Sequence, residues 1–537
     1  MSRRLTLLAA VFTLSLLGAC SAPPQDEPPR REVRAVLGSD PASLSLLGKM
    51  DTNTEILAAQ ITDSLVQYDA HLELVPRVAE SWELSDDRRT LTFRLREGVR
   101  WHDGRPVTAD DVVFTVEKVR QPATENRTYA PGFDQLRSIE APDARTVVAR
   151  YVEIHPDYLD GWRVPLIPRH LAGRDVDLLA GEFAARPVGC GPFRFVSYRV
   201  GQEIVLEAND DYWDGAPRIA GLVFKIYPEQ ATAFQALLLG EIDVLRASPD
   251  QWQSARELRA GRPLDHLVYS KIGVWPVVWN QNGSNPFFTD RRVRQAMMHA
   301  LDRDAFIDKV VHGLARSGVT TFHPDTVWAN PELAPRPYDP ALAGRLLDEA
   351  GWRDADGDGV REKDGRPFRF TLLVPKSPME LTRQIVVWQQ DAWSRIGVIA
   401  EIEELEFQAF RERRNAGRFE AASFNLAFTP GPDQFFDLFH SSAVDQGWNF
   451  FGLADPEIDA LLERGRATFD PAERQRLYSA LQRLLYEQEP IGCTLMFSTP
   501  VLFDRHLRGI EPTPLGIWLT TSGPRLWHWT EPVSTGG

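Results

Sequence analysis

Two spacings of apolar residues alternate along this chain. An interval of two predicts a strand with one buried face, and an interval of three or four predicts an amphipathic helix. Residues 90–96 read TLTFRLR and place Leu91, Phe93 and Leu95 on one face of a strand. Thr108 then stands as a helix N-cap with Asp111 at the third helical position, and Val112, Val116 and Val119 line one side. Residues 203–208 and 219–227 read as strands around a turn-rich stretch from Asn209 to Pro217. Asp290 begins a helix with Val293, Met297, Ala300 and Leu301 on its apolar stripe, and Asp302 caps another that ends at Gly313. Asp339-Pro340, Asp455-Pro456 and Asp470-Pro471 repeat one device, a capping carboxylate followed by proline at the first helical position, where no N–H is needed. Strands interleaved with helices make this an α/β chain with mixed sheets.

The amino terminus departs from that pattern. Arg3 and Arg4 precede an apolar run from Leu5 to Leu17, of signal-peptide length and short for a membrane span. The run ends in Leu17-Gly18-Ala19-Cys20, which resembles a bacterial lipobox, so residues 1–19 are expected to be a lipoprotein signal peptide and Cys20 the lipidation site. Residues 20–32, rich in Pro, Ser and charge, read as a tether. Loss of the two leader arginines takes the formal charge from −15 to −17. That acidity argues against nucleic acid or an anionic lipid surface as partner. With 43% hydrophobic residues in 537, the chain holds more than one core and is expected to form two or three domains.

Chemistry-bearing motifs are sparse. The chain has no HExxH helix, no GxSxG elbow and no glycine-rich phosphate loop, and its eleven histidines are scattered. Beyond Cys20 only Cys190 and Cys493 remain, a spacing open to a disulfide or to two buried thiols. Asp354, Asp356 and Asp358 before Gly359 imitate the start of a calcium loop, but Gly365 stands where such a loop needs a bidentate Glu. A turn explains the aspartates without metal. Neither a cofactor nor a catalytic residue is assigned.

A longer pattern begins at Pro76. Residues 76–83 (PRVAESWE), 95–104 (LREGVRWHDG) and 108–115 (TADDVVFT) resemble the signature of family 5 extracellular solute-binding proteins. Residues 189–195 (GCGPFRF), 206–209 (LEAN) with Tyr212-Trp213, 234–244 and 290–304 continue the resemblance in order. Cys190 stands where the family usually has threonine. The family includes the dipeptide-, oligopeptide- and nickel-binding components of ABC importers.

The resemblance implies a two-lobed periplasmic-binding-protein fold of the class II, cluster C type, with a hinge and an inserted subdomain. Lobe I would comprise residues 33–65, 187–273 and 500–537, the inserted subdomain 66–186, and lobe II 274–499, with crossings near Lys271–Trp275 and Gly492–Pro500. It implies a monomer that closes on a peptide or similar small solute and delivers it to the permease subunits of an importer. Asn53 and Thr54, in a polar stretch before a helix of residues 55–66, are candidate ligand contacts. So are Tyr269, Trp275, Trp279 and Asn280 beside the first crossing, and Phe428, Asp433, Trp448 and Asn449 in the second lobe. In peptide-binding members an aspartate receives the ligand's α-ammonium group, and here Phe428 aligns with it. Either Asp433 supplies that counter-charge or the ligand has no free amine. Trp101, Tyr212 and Trp213 read as core or turn anchors, and Arg292 and Arg294 as structural ion pairs. An exported hydrolase, with a triad assembled in space, and a ligand-free structural or signalling lipoprotein are the alternatives.

Overall fold

The computed structural model describes residues 30–45, 51–121, 129–172, 181–257, 263–283, 285–377, 379–444 and 447–530. Cys20 and the leader lie outside them.

One strand organises the fold. Ile491–Asp504 is 14 residues long, and its sequence, IGCTLMFSTPVLFD, is apolar on both faces over most of its length, as a strand covered on both sides requires. Its first half pairs antiparallel with Gly273–Trp279, with Trp275 opposite Leu495 and Val278 opposite Ile491. Its second half pairs antiparallel with Leu264–Ser270 and with Val244–Arg246. The long strand therefore belongs to two sheet halves at once. On one side follow Val33–Leu37, Gly221–Ile226, Glu203–Ala208 and Phe193–Arg199; on the other, Ala421–Ser423, Arg369–Pro375 and Ile399–Leu405. Parallel and antiparallel pairs both occur, so the sheet is mixed. The result is a two-lobed α/β fold.

The lobes share few backbone connections. Leu264–Ser270 and Gly273–Trp279 are consecutive strands, so the chain passes between halves at Lys271-Ile272, and the long strand crosses beside it. Gly273 is required there: a Cβ would stand 2.7 Å from the carbonyl oxygen of Leu426. Behind the crossing an apolar cluster draws on both sides, with Leu237, Trp252 and Leu502 against Trp275, Phe306 and Leu495.

A separate four-stranded antiparallel sheet runs Ala79–Leu84, Thr90–Leu95, Thr146–Tyr151, Leu136–Asp143 in spatial order. Leu91, Phe93 and Leu95 are buried as their alternation predicts, and helix Ala109–Val119 covers them with Val112, Val116 and Val119. Its Thr108–Asp111 capping box is formed, the Thr108 amide donating to Asp111 at 2.9 Å. Phe93 and Phe133 pack on Trp162 with centroids 4.6 and 5.2 Å away.

The three Asp-Pro starts all cap helices: Asp339 accepts from Leu342, Asp455 from Glu457 and Ile458, and Asp470 from Glu473. Two helix bounds differ from their sequence expectation. The first helix is Thr52–Ile61, not 55–66, because Asp51 accepts from the Thr54 amide at 2.8 Å and starts it three residues earlier. The helix after Asp302 ends at Lys309, short of Gly313, because Val311 and Leu314 turn into the core through a positive φ of 53° at His312. Arg292 does pair with Asp290, at 2.6 Å. Arg294 instead donates to the carbonyls of Phe288, Thr289, Gln488 and Glu489, which ties the ends of two helices together.

Beside the cleft, Asp157 follows the four-stranded sheet and reaches Arg474 on helix Pro471–Gln488. Its two oxygens accept from the guanidinium at 2.7 and 2.6 Å, and Oδ2 also accepts from the Asp433 amide at 3.1 Å. Both side chains are largely shielded. Arg474→Met is expected to leave Asp157 buried without its counter-charge, at a cost of about 3–5 kcal/mol to the arrangement in which these elements touch. Small-angle scattering should then give a larger radius of gyration than for the parent; an unchanged radius would show that the pair does not hold them together.

Candidate functional site

The pieces just described enclose a cavity of about 380 Å³ where the lobes meet, a size within the range of small-molecule sites. Helix Thr52–Ile61 and the turn after it form one wall, Tyr129 and Arg163 from beside the four-stranded sheet a second, and residues 427–430 of the opposite lobe a third. Tyr269, Lys271 and Ile272 bring the crossing itself to the cavity, and residues 514–525 close it from the carboxy-terminal side.

The Gly189-Cys190-Gly191 segment sets the position of the first wall. A Cβ on Gly189 would lie 2.0 Å from the Ile61 carbonyl oxygen, and one on Gly191 would lie 2.7 Å from the Ile61 carbonyl carbon. The Gly191 amide donates to that oxygen at 2.9 Å, so two glycines let the backbones touch and anchor the helix end. Cys190 is buried beneath, its Sγ 3.8 Å from Thr62 Oγ1, and burial pushes its thiol up to about 12. Cys493 is buried in a different core, and both thiols are free.

The charges lining the cavity fall into two sets. In the first, Asp63 Oδ2 accepts from Tyr212 Oη at 2.6 Å, Trp213 Nε1 at 3.1 Å and Arg77 Nη2 at 3.3 Å. Arg77 also meets Asp214 at 2.8 Å, and Asp214 meets Arg525 at 2.7 Å. Burial alone would lower the Arg77 guanidinium, yet Asp63, Tyr212 and Asp214 together raise it. This network closes on itself. In the second set, Arg163 stacks on Tyr68 at 4.6 Å and uses Nε on Asp160 at 3.1 Å. Burial pushes the Glu55 carboxyl up, opposed by Arg163 and Lys271. Burial pulls the Lys271 ammonium down, Arg246 adds to that, and Glu55 opposes it.

Of the ten predicted contacts, Tyr269 and Phe428 line this cavity. Asn53 and Thr54 fall in the first helical turn and bind the preceding loop, Asn53 Nδ2 to the Ser39 carbonyl at 3.0 Å and Thr54 Oγ1 to the Ser43 carbonyl at 3.1 Å. Trp275 donates to Ser423 Oγ at 2.9 Å. Trp279 packs against Phe288 and Trp393 in the second-lobe core. Asn280 ties the carbonyls of Gly417 and Phe419, and Asn449 closes its own loop through Leu453. Trp448 is 52% exposed, its ring 5.3 Å from the Arg414 guanidinium. Asp433 is outside the lining and already held by Arg466, at 2.7 and 3.0 Å, so the counter-charge expected of it is spent within its own lobe. Glu55, Arg163 and Arg246 also line the cavity, and no sequence pattern marks them. Each reads as an ordinary solvated charge, and the cavity assembles them from positions far apart in the chain.

Away from the cavity, Ser270, His323 and Asp325 stand in the order of a hydrolytic triad, with His323 Nε2 3.0 Å from Ser270 Oγ. The tautomer is wrong for catalysis. His323 Nδ1 accepts from the Asp325 amide at 3.2 Å, so Nε2 carries the proton and cannot take one from the serine. Arg316 also donates to Ser270 Oγ, at 2.7 Å. The aspartate-rich turn is likewise satisfied locally, since Asp354 accepts from the amides of Gly357 at 2.7 Å and Gly359 at 3.1 Å.

Comparison with known proteins agrees with this architecture. Residues 73–447 match the family described as bacterial extracellular solute-binding proteins, family 5 middle. The chain is 28% identical to the oligopeptide-binding protein AppA of Bacillus subtilis, over 96% of this chain and 97% of that one. The structure of that protein in complex with a nonapeptide superposes with a TM-score of 0.77, at 25% identity over 94% of this chain and all of that one. NikA from Brucella suis, in complex with Fe(III)-EDTA, shares the fold with a TM-score of 0.83, at 23% identity over 93% of this chain and all of that one.

His323 gives the protein a pH signature. It is 2% exposed, and burial, the largest effect, pulls its imidazole down to about 4, with Asp325 opposing and Arg316 assisting. The unfolded chain takes up this proton near 6.5. The resulting stability is complete above that pH and lost as pH falls toward 4, by on the order of 1.4 kcal/mol per unit. Thermal melts should show Tm falling across this window, and His323→Gln should flatten the fall. Identical slopes in parent and variant would count against it.

Proposed function

The chain belongs to the bacterial extracellular solute-binding proteins of family 5, extracytoplasmic and non-enzymatic binding components of ABC transporters, and we propose that it captures a peptide or peptide-sized solute between its lobes for delivery to an importer's permease. The observation that carries this reading is the cavity between the lobes, with walls contributed by both of them and by the crossing. A ligand that touches every wall only in the closed arrangement shifts the protein toward that arrangement. The permease then meets a surface that differs between loaded and empty forms.

We assign residues 33–65, 187–273 and 500–537 to lobe I, 66–186 to the inserted subdomain and 274–499 to lobe II. The protein acts as a monomer tethered through lipid on Cys20. Supporting the tether are the charged, apolar and small-residue segments before Cys20 and the proline-rich stretch after it. No helix among the described residues is long and apolar enough to cross a membrane.

Native mass spectrometry of protein purified without denaturation, followed by calorimetry with a series of two- to nine-residue peptides, tests the binding role. Saturable binding with the peptide recovered intact is the expected result; peptide cleavage, or no heat and no retained mass, would overturn it. For the tether, Cys20→Ser is expected to move the protein from the membrane to the soluble fraction on cell fractionation. A membrane-bound variant would refute lipid attachment at this residue.

A further inference from the structure

Within the cavity, side chains of both charges make no hydrogen bond or ion pair with a described residue. Two acidic side chains line it, Glu55 and Asp63. Asp63 is taken up by Tyr212, Trp213 and Arg77. The Glu55 carboxylate accepts no hydrogen bond from any described residue, although burial acts on it and Arg163 and Lys271 are near enough to favour its charge. A shielded carboxylate without donors is costly. On the cationic side, Arg77 and Arg525 converge on Asp214, and Arg163 spends Nε on Asp160. The Lys271 and Arg246 side chains make no hydrogen bond or ion pair with a described residue, and Arg246 is near enough to disfavour the Lys271 charge.

We propose that this cavity reads a zwitterion, Glu55 receiving the cationic group of the solute and Lys271 with Arg246 receiving its anionic group. The assignment rests on the solute-binding reading and names the charge chemistry of that site. A primary ammonium group satisfies Glu55 with up to three donors, and a carboxylate placed between Lys271 and Arg246 turns their repulsion into two attractions. The anionic group would then sit at the crossing between lobes. Both contacts come from residues of the 33–65 and 187–273 stretches, so the solute can dock by its charges on one lobe before Phe428 and its neighbours cover it.

The test is calorimetry with trialanine, N-acetyl-trialanine and trialanine amide against the parent, Glu55→Gln and Lys271→Met. For the parent, capping either end is expected to weaken binding about 10- to 100-fold, the range of hydrogen bonds to charged groups. In Glu55→Gln the acetyl penalty should fall to within about threefold of unity while the amide penalty persists, and Lys271→Met should show the reverse. Circular dichroism melts establish that each variant folds. Parent binding with penalties that are absent, or unchanged in the variants, overturns this assignment alone. Failure of all three peptides to bind the parent overturns the assignment together with the peptide reading on which it rests.

Discussion

The structure depends on the shared pairing of Ile491–Asp504, whose 14 residues run without a break through both sheet halves. A strand rises about 3.3 Å per residue, so this element alone spans the width of the joint. Its hydrogen bonds to Gly273–Trp279 and to Leu264–Ser270 hold two otherwise separate sheets in one ladder. Because, among the described residues, this strand and its neighbour at Lys271-Ile272 are what pass through, the joint is narrow in covalent terms. The apolar cluster of Trp275, Phe306, Leu495 and Leu502 stiffens it from behind.

A cavity at a joint inherits its charge from whatever the joint brings near. The protein is acidic overall, with a formal charge of −15, yet the cavity wall carries Arg77, Arg163, Arg246, Lys271 and Arg525 against Glu55 and Asp63. Most of the surplus is cancelled from behind by Asp160 and Asp214. What remains for a ligand is a small local excess near the crossing, beside one carboxylate. Whole-chain charge would suggest the opposite sign, because long-range averages say little about a site only a few side chains wide.

Buried polar groups outside the cavity are mostly occupied in holding loops. Asn280 and Asn449 each close a turn, Arg294 binds four carbonyl oxygens, and Asp433 is clamped by Arg466. These groups are polar and lie near the expected cleft, which made several of them plausible ligand contacts. The geometry separates them by whether their hydrogen-bonding capacity is already used.

Local regularities in the sequence were sufficient for much of the architecture. Alternation at Leu91, Phe93 and Leu95, the Thr108–Asp111 box, the three Asp-Pro caps and the ordered motifs from Pro76 onward determined element type, fold class and family. Each is a short-range pattern whose physics is complete within a few residues. Even so, Asp51 started a helix earlier than its apolar spacing suggested, because a cap acts through one hydrogen bond and leaves no period to read. The cavity chemistry was decided only by tertiary structure. Glu55, Arg163 and Lys271 are exposed-type charges in sequence, and they influence one another only because the helix from Thr52, the loop after the four-stranded sheet and the crossing converge. Burial and the distance between charges set their free energies, and neither quantity exists until distant segments have met.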